Sequence, residues 1–211
     1  MFTFLKNRKL RKIAILAIFY AALSFAYSFI GFIHPEPSPA FEFGTSRLLI
    51  EILGHFVFGF VAAIPLLDFE LSALTGALAV LIDSDHILST LNLPVSGRPD
   101  HSILYALVSL IALVYIGTRL GLDLSTITKL AFIAPITVLS HVSYDVFAGT
   151  GASFPLFVPF DFGGITLPDY SWLILEGAAT ILSIVAYYVA RKYGAEKLLK
   201  KEALESKVGR V

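Results

Sequence analysis

Six apolar stretches, each close to the length that crosses a bilayer, run through this chain at 13–33, 48–67, 71–87, 101–118, 127–147 and 170–193. A spanning helix needs about 20 apolar residues. Charged residues make up only 15% of the chain. A soluble domain carries about 25%. So few charges cannot cover a water-facing surface of ordinary polarity. The chain therefore reads as all-α: a polytopic membrane bundle of about six transmembrane helices. Residues 1–194 form one transmembrane domain, and 195–211 a charged cytoplasmic tail. The tail has the pattern of an amphipathic helix, with Glu196 and Lys200 at i,i+4. The first stretch is longer than the roughly 7–15 apolar residues of a signal peptide, so it reads as a retained span. It ends at the proline-rich run His34 to Pro39, which cannot continue a helix.

Lysine and arginine placement orients the bundle. With the N-terminus and C-terminus inside, Lys6, Arg8, Lys9, Arg11, Lys12, Arg119, Lys129 and the basic residues from Arg191 onward are all cytoplasmic. Only Arg47 and Arg98 fall on the other side. The expected location is the cytoplasmic membrane. Net charge is zero, which gives no footprint for nucleic acid. There are no cysteines, so disulfides, thiolate nucleophiles and Cys-type zinc sites are excluded. Any metal must be held by nitrogen and oxygen.

Histidines and acids occur together inside or at the ends of these stretches. They are His55, the run Asp83-Ser84-Asp85-His86, His101, and the pair His141 and Asp145. Ionisable groups at membrane depth are costly and mark function by default. In the N-in orientation every one of them arrives on the outer half, although none was used to choose that orientation. His141 and Asp145 are i,i+4, and Asp83 and His86 are i,i+3, so each pair shares a helix face. Asp83, Asp85 and Asp145 stand near helix C-termini, where the dipole disfavours a carboxylate. A bound cation removes that penalty. The expected cofactor is a divalent metal, zinc first, with one to three ions. Metal ligands are expected among His55, Asp83, Asp85, His86, His101, His141 and Asp145.

Taken singly, each residue has a plainer reading. His55 would be an interhelical hydrogen bonder. Asp83 and Asp85 would be hydrated at the interface, and His101 a loop histidine. Asp100, after Pro99, reads as the N-cap of the fourth helix. His34 is given no role. Glu51 stands one turn from His55, and Glu176 lies about 9 Å into the sixth stretch. Either fits a general base, a further ligand, or an ion-pair partner of Arg47 or Arg98.

In order along residues 50–160, these pieces resemble the YdjM-like family of membrane-bound metal-dependent hydrolases. His55 matches an early histidine in an apolar segment. Ile82 to His86 is similar to a PDxDH motif, Gly97 to Ser102 to HRGxTHS, and His141 to Asp145 to HxxxD. Gly151 to Phe160 resembles a PLLWPF stretch. Ile82 replaces the usual proline, and the first histidine of the second motif is absent. The resemblance implies an enzyme distantly similar to zinc-dependent phospholipase C and P1 nuclease. The expected activity is cleavage of a lipid headgroup phosphoester at the extracytoplasmic face. Asp85 would orient a ligand or accept a proton, Arg98 would hold phosphate, and Glu51 would assist in catalysis. The 149–168 loop would cover the pocket. The expected partners are a lipid substrate and the membrane. The competing readings are a cation-binding transporter and a non-catalytic protein whose metal only pins helices.

Overall fold

The computed structural model describes residues 8–33, 45–84, 86, 98–149 and 153–208. The helices are α1 (Arg8–Ser28, continued by a 3-10 turn Phe29–Ile33), α2 (Thr45–Ala63), α3 (Phe69–Ile82), α4 (Ile103–Arg119), α5 (Leu124–Phe147) and α6 (Ser171–Val208). Four of the helical segments, Arg8–Phe32, Leu48–Leu66, Leu124–Phe147 and Ser171–Gly194, are long and apolar enough to cross a membrane. Their outward faces carry large apolar side chains, including Leu49, Leu53, Ile181 and Tyr188. Such a surface is at home in lipid rather than water. The chain is mostly helical and suited to membrane association.

α3 and α4 are shorter than expected, with 14 and 17 residues. α3 packs against α1, α2 and α5, and most of its side chains are buried. Protein rather than lipid surrounds it, so it need not be as long as the bilayer is thick. It ends at Ile82, with Asp83 as its C-cap. α6 continues without a break through the charged tail.

Side-chain caps set three helix starts. Asp68 accepts from Leu71 N at 3.2 Å and Asp123 from Thr126 N at 3.0 Å. The α4 cap is Ser102, which accepts from Tyr105 N at 3.1 Å. Asp100, the residue expected there, is fully buried two positions earlier in a 3-10 turn, Pro99–His101. Ser102→Ala is expected to cost about 1 kcal/mol of stability, the usual worth of such a cap. Thermal unfolding in detergent measures it.

An antiparallel β-hairpin, β1 (Ser153–Phe157) with β2 (Asp161–Thr166), departs from the all-α expectation. Phe154 pairs with Ile165 and Pro155 with Gly164. Among the described residues these strands pair only with each other, so the sheet is a local cover on a helical bundle.

The bundle has two chemically different ends. At one, Lys9 Nζ reaches Glu70 at 2.9 Å and Asp68 at 3.5 Å. There Lys12 Nζ donates to Gly121 O at 3.1 Å and Lys129 Nζ to Leu66 O at 2.8 Å. These contacts tie the starts of α1, α3 and α5 to the neighbouring turns. At the other end, about 20 Å away along α3, stand Asp83 and the histidines. Leu16, Leu74, Leu78, Leu113, Leu130 and Ile133 fill the core between.

Candidate metal centre

α5 is the most enclosed of the four helices long and apolar enough to cross a membrane, and its last turns carry His141 and Asp145, both buried. α2 brings His55 from one side, the end of α3 brings Asp83, and the turn before α4 brings His101. Four distant stretches thus meet at one point. His55 Nε2 lies 3.0 Å from Asp83 Oδ2 and 3.5 Å from Asp145 Oδ1. His141 Nε2 lies 3.5 Å from Asp83 Oδ1 and 3.7 Å from Asp145 Oδ2. His101 Nε2 lies 3.7 Å from Asp83 Oδ1 and 3.5 Å from Asp145 Oδ2. The His55 and His141 rings stack, with centroids 3.9 Å apart.

Hydrogen bonds assign the ring tautomers. His141 Nδ1 lies 2.8 Å from Ala79 O. A carbonyl only accepts, so Nδ1 carries the hydrogen and Nε2 the lone pair. His101 Nδ1 donates likewise to Asp100 Oδ1 at 3.1 Å. The two Nε2 atoms then face each other at 2.8 Å. Two ring nitrogens that close need a proton or a metal ion between them. His55 Nε2 and Asp83 Oδ1 are buried and have no aligned hydrogen-bond partner among the described residues. Uncompensated buried polar atoms of this kind are costly.

These residues fit a divalent ion. His55, Asp83 and His141 form one group whose ligand atoms lie within 4.8 Å of one another, and His101, His141 and Asp145 form a second. Tetrahedral zinc with bonds of about 2.0–2.1 Å holds its ligand atoms roughly 3.3 Å apart. The observed separations, from 2.8 to 3.7 Å, straddle that value. All donors are imidazole nitrogen or carboxylate oxygen, a set that suits zinc and its neighbours.

The other expected residues fall at different places. His86 stands at the rim, its Nε2 3.4 Å from Asp83 Oδ1. Arg98 Nη2 lies 2.7 Å from Asp145 Oδ2 and 3.6 Å from Asp83 Oδ1, and the guanidinium sits over the Phe154 ring. Its direct partners here are the cluster's own carboxylates. It does so from a left-handed backbone conformation, φ 40°, strained for a residue with a side chain. Phe154 also stacks on His101, so the hairpin covers this side of the centre. Glu51 remains one turn before His55 on α2, half-buried. Glu176 lies on α6, with an Oε2 that is buried and has no aligned hydrogen-bond partner among the described residues. Asp85 and His34 lie outside the described residues.

Sequence reasoning missed Asp100. It missed Ser24 and Ser28 of α1 as well, whose hydroxyls reach Asp100 Oδ2 at 3.3 and 3.0 Å. Serines four apart on an apolar helix give a faint signal, and an acid after proline is first read as a cap. Compared with protein-family models, curated proteins and solved structures, the chain matches none.

Proposed function

We propose that the protein is a membrane-embedded, metal-dependent hydrolase that cleaves a phosphoester of a lipid headgroup. The observation that carries this reading is the uneven exposure of the cluster. His55, His101, His141 and Asp145 have side chains no more than 3% exposed, whereas Asp83, His86 and Arg98 are 19–22% exposed. An ion held this way is sealed on the bundle side and approachable on one edge. A purely structural metal is normally closed by ligands on every side, while a catalytic one keeps a position open. That edge is also where the one guanidinium of the cluster stands.

In this reading His55, Asp83, His101, His141 and Asp145 hold the ion. His141 offers a single nitrogen, because its other one is bonded to Ala79 O. The two ligand groups therefore overlap, which favours one or two ions over three. When bound, the ion supplies Lewis-acid chemistry: it polarises a phosphoryl oxygen and acidifies water. Arg98 binds the anionic phosphate from the open edge, exchanging part of its contact with Asp145 for the substrate. His86 stands at that same edge, where a group can take or return a proton; Asp85 keeps the proton-accepting role suggested by its sequence alone. Glu51 completes the set from α2. The hairpin limits water on the Phe154 side.

The basic end of the bundle is then cytoplasmic and the centre extracytoplasmic, with six membrane helices and both termini inside. A headgroup in the outer leaflet reaches the edge without leaving the bilayer. The transporter reading is disfavoured by the core between the two ends, where apolar side chains are joined by buried hydroxyls such as Thr75, Ser109 and Thr137 rather than by a second described cluster of imidazoles and carboxylates. The resemblance to YdjM-like hydrolases agrees with this function.

The test uses the full chain in detergent–phospholipid micelles. Zinc-loaded protein is expected to turn over a phospholipid or an amphiphilic phosphodiester. A strong chelator should remove that activity and zinc should restore it. Turnover that survives complete metal removal, or metal-loaded protein inert on every phosphoester class, would contradict the assignment.

A further inference from the structure

Asp100 is not among the carboxylates that face the cluster's interior, yet it is fully buried. Both of its oxygens are engaged. Oδ1 receives the Nδ1 hydrogen of His101 at 3.1 Å. Oδ2 lies 3.3 Å from Ser24 Oγ and 3.0 Å from Ser28 Oγ. Ser84 Oγ, next to Asp83, is 2.9 Å from Ser24 Oγ and 3.2 Å from Ser28 Oγ. Ser24 and Ser28 of α1 thus form a hydroxyl cradle at one carboxylate oxygen, and Ser84, just past α3, bridges the two hydroxyls. Ser24 Oγ also lies 3.3 Å from Ile82 O, which ties the cradle to the last turn of α3.

We propose that Asp100, seated in this cradle, is the positioning residue that fixes His101 as a metal ligand. The assignment rests on the metal-centre reading above and makes the N-terminal helix part of that centre. Its other partners among the described residues are neutral hydroxyls, so the imidazole is the bonded group its negative charge acts upon. By accepting the Nδ1 hydrogen, the carboxylate leaves Nε2 as the free donor atom and blocks a ring flip. It also makes that nitrogen more basic. Carboxylates behind ligating histidines act in this way, and their loss typically weakens metal binding about 10–100-fold. His141 shows the weaker alternative, a backbone carbonyl in the same role. Charge is thus supplied behind one imidazole and not the other.

The test is zinc affinity of the full-length protein in detergent, measured by competition with a chromophoric chelator. Asp100→Asn keeps the size and an oxygen for the His101 hydrogen but removes the charge. It is expected to weaken zinc binding about tenfold, and Asp100→Ala closer to a hundredfold. Ser28→Ala, which removes one cradle hydroxyl, should weaken it by a smaller factor. Ser72→Ala, a buried serine at the start of α3 bonded to Ala63 O, should leave affinity unchanged. Cobalt-loaded Asp100→Asn should show altered visible absorption, which a merely structural role would not produce. Should Asp100→Ala fail to fold, the asparagine and serine variants still decide. Wild-type zinc affinity in both Asp100→Asn and Ser28→Ala would overturn the assignment. Failure of the wild-type protein to bind zinc is a different result: it would remove the centre itself, and this role with it.

Discussion

His141→Ala should lower metal affinity by about a hundredfold or more, beyond the effect of removing an outer partner, and activity should fall with it. This side chain belongs to both ligand groups, so its loss breaks each of them. No neighbouring donor replaces it: His101 Nε2 already points at the same place from the opposite side. Asp145→Ala should behave similarly, because Asp145 lies within 3.7 Å of all three buried imidazoles and 2.7 Å from Arg98. Removing it also leaves a guanidinium without its shortest anionic contact, at a cost of about 1–3 kcal/mol. Metal content and phosphoester turnover, measured on the same preparations, check both. Metal retained in either variant removes that residue from the ligand set.

The second large effect comes from a residue with no side chain. Gly76 of α3 and Gly59 of α2 bring their two helices into close contact. A Cβ at Gly76 would stand 2.7 Å from Phe56 O, and one at Gly59 2.9 Å from Thr75 O. Backbone atoms cannot rotate away, so a larger residue must push the helices apart. Small residues serve this purpose between membrane helices. Phe56 follows His55 directly, and Asp83 closes α3. Separating α2 from α3 therefore lengthens the 3.0 Å His55–Asp83 contact. Gly76→Leu is expected to cost at least about 1–3 kcal/mol by overpacking, and to weaken metal binding although it replaces no ligand. Thermal unfolding and zinc titration on one sample separate the two effects. Unchanged zinc affinity would mean that α2 does not depend on this contact for its place.

Much of the arrangement was legible in the residues. Apolar length marked the four long helices, because lipid demands an uninterrupted run. Helical spacing paired His141 with Asp145 and Asp83 with His86, and those pairs lie 3.7 and 3.4 Å apart. What escaped depends on tertiary context. The true length of α3 is set by the helices around it, which no local pattern reports. The 153–166 hairpin forms from residues rich in Gly, Pro and Phe, which read as loop without the partner strand. Asp100 illustrates the limit most clearly. After proline it has every mark of a cap, yet Ser102 takes that position and leaves the carboxylate to the serines of α1. Arg98 was expected to face a phosphate. In the fold it also contacts Asp145 and Asp83, which no local pattern announced.

The central claim is that these separated imidazoles and carboxylates converge on one divalent cation. X-ray absorption at the zinc edge of the loaded, detergent-solubilised protein tests it most directly. The account predicts a shell of nitrogen and oxygen at about 2.0–2.2 Å, with outer-shell scattering from two or three histidine rings. A shell without imidazole scattering, or protein that retains no zinc at all, would contradict it.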